Sequence, residues 1–270
     1  MAAAYEAVVV PRFTRHFARM ILEELPASVR GSVLDLGCGT GHPTFELLPR
    51  LMEGAKLVAI DHDSGLLDLA RRKSWSAVGQ RVFFKVEAAE RLSFGDGVFD
   101  TVVANLLLDD FEDSSGAMRE IHRVLAPGGR ALLTRCLAGT FEEVLDMLDE
   151  LGLKRELPTL SANVAQLRAR NPTPQELVER ARAAGFDDAR VVTRELRLPY
   201  ANSGELFADR LLAYVAMDEW RSAASEGTGQ DADEILREAE HALATYFGGH
   251  ALSLRVHAGL LVADRAQDAQ

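Results

Sequence analysis

The run V-L-D-L-G-C-G-T-G, from Val33 to Gly41, sets an acid at 35 and glycines at 37, 39 and 41. Glycine has no Cβ, so such a run turns sharply and lets a ligand lie against bare backbone beside a helix N-terminus. A dinucleotide fingerprint needs its third glycine one residue later, where this chain has His42, and a triphosphate loop needs a Gly-Lys-Ser/Thr ending that is missing. A second acid, Asp61, ends L-V-A-I-D, the place from which a carboxylate accepts both hydroxyls of a ribose. Its alternative role is a helix N-cap or a solvated loop acid. Asp35 reads equally as a structural acid holding loop N–H groups and as a residue touching the ligand.

Other reactive side chains suggest less. Cys38 and Cys136 lie far apart with no partner at a metal spacing, so neither a disulfide framework nor a zinc site is expected. His42, His62 and His122 invite a role as bases, but loop and helix-surface histidines are more often structural or solvated. No acid–base pair stands out, and no catalytic residue is assigned.

The elements that must hold these residues alternate. Strands are expected at Val33 to Leu36, Lys56 to Ile60, Val82 to Val86, Asp100 to Ala104 and Arg130 to Thr134. Between them, Ser64 to Lys73 and Ala117 to Leu125 carry apolar residues at helical spacing, the mark of βαβ units. Pro127-Gly128-Gly129 reads as the turn into the fifth strand. A helix is expected from Phe141 to Leu151 and another after Thr173-Pro174-Gln175-Glu176, a capping box with proline in the first turn and Gly185 at the far end. Arg190 to Arg197 and the alternation Leu254 to Val262 supply two more strands. The residues between them carry two apolar stripes, Phe207/Leu211/Tyr214/Val215 and Ile235/Leu236/Ala239/Leu243/Tyr246/Phe247, and predict a helical pair joined by a mobile link, Ser222 to Gln230. Near the N-terminus, Phe13, Phe17, Met20, Ile21 and Leu25 form a docking stripe that leaves Arg12, Arg15 and Arg19 in solvent.

With 30 Lys plus Arg against 41 Asp plus Glu, the 270-residue chain carries a formal charge of −11. That balance disfavours nucleic acid and anionic membrane as partners. No signal peptide and no eighteen-residue apolar run are read, and a reducing cytoplasm fits the two cysteines.

Four ordered stretches resemble one family: V-L-D-L-G-C-G-T-G-H-P, V-A-I-D, A-E-R-L-S-F-G-D-G-V-F-D-T-V-V-A-N and R-E-I-H-R-V-L-A-P-G-G-R-A-L-L-T. They look like the Rossmann-like (class I) S-adenosylmethionine-dependent methyltransferases, in the branch of ubiquinone, menaquinone and natural-product methyltransferases. The likeness is strong over Leu22 to Arg135 and returns in the last helix and strands. It implies an α/β fold with a three-layer, seven-stranded sheet, mostly parallel with the last strand antiparallel, plus helical cover insertions.

It also implies one domain over 1–270, with an N-terminal cover (1–30), a cofactor-binding core (31–137), helices and a sixth strand (138–198), a helical insertion (199–250) and a closing strand (251–265). The cofactor is S-adenosylmethionine and the product S-adenosylhomocysteine. Backbone at Gly37, Cys38, Gly39 and Gly41 would hold the methionine moiety, Asp61 and the adjoining His62 the ribose, Ala89 the adenine, and Asn105 the methionine end, with Asp35 behind the loop. Where the family commonly reads Gly-Asp-Ala, this chain has Glu87-Ala88-Ala89, so Glu90 or Glu87 would replace the missing acid. Tyr5 and His16 would line the acceptor pocket. The expected activity is methyl transfer to the oxygen, carbon or nitrogen of a small molecule. The alternatives are a protein or carrier-bound acyl acceptor, and a non-catalytic S-adenosylmethionine binder; an oligomer is left open.

Overall fold

The structure is a computed structural model that describes residues 2–73, 81–111 and 114–267. Seven strands form one sheet in the order β3-β2-β1-β4-β5-β7-β6, six parallel and the last, β7, antiparallel. The strands are β1 (Ser32–Leu36), β2 (Lys56–Asp61), β3 (Val82–Val86), β4 (Phe99–Asn105), β5 (Leu125–Cys136), β6 (Asp188–Tyr200) and β7 (Leu252–Asp264). The centre of the sheet is the apolar, two-sided kind: Val33, Leu34, Leu57, Val102, Val103, Leu132 and Leu133 have no exposed surface. β1 pairs with β2 and β4, which brings the carboxyl ends of all three together at Leu36, Asp61 and Asn105.

Pro127-Gly128-Gly129 lies within β5, where a separate turn had been expected. β5 advances five residues, Leu125 to Arg130, while β4 advances two, Phe99 to Thr101. The surplus is a bulge made possible by Gly128 at φ +76°, whose N–H donates to the Arg265 carbonyl at 2.9 Å. Arg265 in turn caps the preceding helix, donating from Nη1 to the carbonyls of His122, Arg123 and Leu125.

The chain divides into two compact units, Met1–Arg135 with Thr173–Thr193 and Ala258–Gln270, and Cys136–Pro172 with Arg194–His257. In the first, α1 (Ala2–Val9), a π-helical turn (Val10–Thr14) and α2 (Arg15–Glu24) run as one rod. The apolar stripe of the rod is buried and Arg12, Arg15 and Arg19 are exposed, as its spacing requires. Arg50 Nη1 donates to the carbonyls of Leu22 and Leu25 and so ties down the end of α2. The glycine loop leads into a helix of four residues, α3 (Thr44–Leu47), bracketed by Pro43 and Pro49. α4 (Ser64–Lys73), α5 (Ser115–Val124) and α8 (Pro174–Ala183) complete this unit, and Thr173 and Glu176 form the capping box reciprocally.

The second unit contains α6 (Glu142–Lys154), α7 (Pro158–Arg170), α9 (Ser203–Phe207), α10 (Arg210–Val215), α11 (Met217–Ser225) and α12 (Ala232–Tyr246). The insertion thus forms four helices where its stripes predict two, since Asn202, Asp209 and Asp231 each cap a new start. Ser222 to Ser225, expected in a link, finish α11. Much of its apolar surface is absorbed within the unit: Leu211 and Leu243 are buried, and Trp220 meets Phe141 edge-on at 5.7 Å, whereas Tyr214 and Tyr246 of the predicted stripes are exposed. Arg168 of α7 reaches Glu142, Asp146 and Asp149 of α6.

Candidate functional site

Three carboxyl strand ends and the glycine loop meet in the first unit. Gly37 and Cys38 both donate to the Ile60 carbonyl at 2.9 Å, and Gly39 N–H donates to Asp61 Oδ2 at 2.8 Å. Asp61 Oδ1 accepts from Asp63 N–H at 2.9 Å. Asp61 therefore fixes the loop and caps the start of the next turn with one lone pair of each oxygen; a carboxylate has about four acceptor positions, so the others remain for a ligand.

The glycines differ in purpose. A Cβ on Gly37 would lie 2.7 Å from the Leu107 side chain, and one on Gly41 would lie 2.0 Å from the Phe45 ring. Gly39, at φ +53°, would meet nothing within 4 Å. Packing thus excludes side chains at 37 and 41, whereas at 39 the bare backbone borders open space. Cys38 is buried among acids and its thiol is pushed up, first by burial and then by Asp35 and Asp61, which makes it a filler with little thiolate character.

Asp35 lies wholly buried under the loop. Thr44 Oγ1 donates to its Oδ2, while Oδ1 has no hydrogen-bond partner among the described residues. Burial pushes its carboxyl up to about 7, against the pull of Thr44, with Asp61 and Glu46 adding to the rise.

At the end of β4, Asn105 is buried and spent on protein groups: Nδ2 donates to the Thr14 carbonyl at 3.1 Å, and Oδ1 accepts from Thr134 Oγ1 at 2.7 Å. Thr134 Oγ1 accepts from Leu106 N–H at 3.0 Å, which holds Leu106 in a left-handed conformation at φ 64°. Beyond β3, Ala89 is buried with Glu90 exposed beside it. Glu87 is turned elsewhere: it accepts from Ser93 and pairs with Lys85 at 2.9 Å, contacts that outweigh its burial and hold its carboxyl low. Of the two acids considered for the place vacated at Ala88, Glu90 is the one not committed in this way.

The remaining candidates divide. Tyr5 is half-buried, its hydroxyl 3.2 Å from Thr14 Oγ1. His16 lies on the exposed face of α2, its imidazolium disfavoured by partial burial and by Arg19 and Arg15. His62 is 72% exposed at 3.7 Å from Asp61 Oδ1. His122 stacks edge-on against Phe186 at 5.2 Å beside Gly185, a packing role. Thr14, Thr44 and Thr134 are not marked by the sequence, because a threonine gives no local signal of the residue it will hold.

Residues 34–133 match the family described as methyltransferase domain. The demethylmenaquinone methyltransferase of Mycolicibacterium vanbaalenii is 34% identical over 188 residues, 65% of this chain and 77% of that protein. The chain belongs to the S-adenosylmethionine-dependent methyltransferases. The demethylmenaquinone methyltransferase of Lactiplantibacillus plantarum is 33% identical over 117 residues, 43% of this chain, which spans about half (49%) of that relative's length. A phosphoethanolamine N-methyltransferase of Haemonchus contortus, solved with S-adenosylhomocysteine, superposes with a TM-score of 0.58 at 19% identity, over 98% of this chain and 57% of that one. This likeness shows the shared fold.

The residues present fit the cofactor of these methyltransferases, S-adenosylmethionine. Gly39 offers a cradle that a Cβ would invade, and Asp61 beside it keeps acceptor capacity. No helix among the described residues is long and apolar enough to cross a membrane.

Proposed function

We propose that the chain transfers a methyl group from S-adenosylmethionine to a small-molecule acceptor. The observation that carries this reading is the bare, left-handed backbone of Gly39, pinned to an acid that still has lone pairs to give. When bound, the cofactor supplies an electrophilic methyl carbon on its sulfonium. Asp61 would accept from the ribose hydroxyls and the Gly37–Gly41 backbone would hold the methionine moiety, while the main chain of Ala89 and the Glu90 carboxylate would serve the adenine.

The protein's share of catalysis is alignment and exclusion of water, with acceptor and methyl about 3 Å apart in line. No side chain is assigned as a base; an acceptor that ionises by itself needs none. Two relatives are named demethylmenaquinone methyltransferases, which supports a quinone-type ring as the first acceptor to try. We place the protein in the cytoplasm.

Calorimetry with S-adenosylhomocysteine and a labelled-methyl assay over quinols, phenols, amines and carboxylates test the reading. Micromolar binding with turnover of one small-molecule class is expected. Turnover only of protein or carrier-bound acyl groups would replace the acceptor, and binding without any turnover would make the chain a non-catalytic binder.

A further inference from the structure

The N-terminal rod reaches the glycine loop through one cluster of charges. Glu6 Oε1 of α1 pairs with Lys73 Nζ, at the end of α4, at 2.7 Å. The same ammonium donates to the Thr40 carbonyl in the loop at 2.9 Å and lies 4.7 Å from the Phe45 ring centroid. His42 Nε2 stands 4.0 Å from Glu6 Oε1, and His42 Nδ1 stands 2.8 Å from Glu46 Oε1. Burial raises the Glu6 carboxyl, but Lys73 and the facing Thr40 hydroxyl outweigh it and hold the group ionised.

This contact is imperfectly satisfied. Glu6 Oε2 and Glu46 Oε2 are buried with no aligned hydrogen bond among the described residues. Polar atoms buried without partners are costly, so the cluster holds α1 without locking it. Within α1 Val9 is the one buried residue, Tyr5 adds its 3.2 Å contact to Thr14, and an eight-residue helix is marginal by itself.

The rod also has a place to bend. At Val10–Thr14, Pro11 contributes no N–H, and Arg15 N–H reaches back five residues to the Val10 carbonyl. Asn105 holds the far side of this turn through Thr14, and Arg50 anchors the end of α2, so motion is confined to α1.

We propose that Glu6 is a positioning residue that latches α1 onto the glycine loop through Lys73, so that the latch sets how long the cofactor stays bound. The inference rests on the cofactor site proposed above. Breaking the pair frees α1, releases the Thr40 carbonyl from a fixed donor and lets the loop relax. A bound nucleoside then leaves sooner.

The test is a double-mutant cycle on the full chain: Glu6→Ala, Lys73→Met and both together, read by stopped-flow dissociation of S-adenosylhomocysteine and by amide exchange over residues 2–9 against 15–24. Each single change should speed dissociation about tenfold, the double change no further, and exchange should rise in 2–9 alone. Glu6→Gln, which still accepts from Lys73, should recover most of the residence time. If the wild-type chain binds no S-adenosylhomocysteine, the cofactor reading itself fails. If it binds and dissociation is unchanged in both single variants, if the two effects multiply, or if exchange rises equally in 15–24, the latch is wrong.

Discussion

The side-chain amide of Asn105, at the end of β4, donates to the main-chain carbonyl of Thr14 in the π-helical turn, and its oxygen accepts from Thr134 on β5. Three segments distant in sequence are thereby fastened at one buried point. Asn105→Ala leaves a carbonyl and a hydroxyl unpaired, and such losses cost about 1–3 kcal/mol. Chemical denaturation should show a drop of this size, with faster amide exchange from Val10 to Thr14. Asn105→Asp should be worse, because its carboxylate would face the Thr14 carbonyl.

Asp61→Asn separates the two duties of that residue. The amide oxygen still accepts one backbone N–H, but the charge is gone and the nitrogen cannot accept. Affinity for S-adenosylhomocysteine should fall by tenfold to a hundredfold, equivalent to ~1.5–3 kcal/mol for a charged hydrogen bond. Isothermal calorimetry on the folded variant checks it.

Gly39 and Gly41 should respond in opposite ways. Gly41→Ala drives a methyl into the Phe45 ring and should cost stability, about 1–3 kcal/mol of overpacking, beyond the strain at φ +104°. Gly39→Val enters open space, so its stability loss should be confined to left-handed strain of about 1–2 kcal/mol. Its cofactor binding should be abolished. Thermal melting and calorimetry on the two variants would reveal the contrast.

Asp35 gives a pH test. Its carboxyl is raised in the fold from an ordinary 3.8 to about 7, so between these values the folded chain holds a proton that the unfolded chain has lost. Stability from this group is complete below pH 4 and declines as pH rises to 7. Asp35→Asn keeps an acceptor for Thr44 and removes the titration. Relative to wild type, the variant should therefore gain stability between pH 4 and pH 7 in denaturant titrations, and parallel pH profiles for the two proteins would refute the assignment.

Elements with a local signature were legible in the sequence. β3 spans Val82–Val86 as its β-branched and aromatic run predicts, and Thr173 with Glu176 builds the helix start its spacing announces. α7 was not, because Leu160 and Val164 are its only buried residues and two apolar positions make no stripe. At the site, the positions of Gly37, Gly39 and Asp61 followed from loop chemistry. The engagement of Asn105 did not, since its partners lie 91 and 29 residues away. Glu6 and Lys73 are equally silent, for nothing in an alanine-rich helix or in the run R-R-K announces that the fold sets them 2.7 Å apart.

The place of β7 between β5 and β6 has a consequence for biosynthesis. β5 is translated long before β7, so while α6 to α12 emerge from the ribosome its hydrogen-bonding edge, with Leu132 and Leu133 nearby, has no neighbour on that side. An exposed edge of that kind recruits other strands. Nascent chains stalled or truncated before Leu252 should accordingly aggregate or bind chaperones. The Arg265 cap on α5 completes the sheet only after β7 has slotted in.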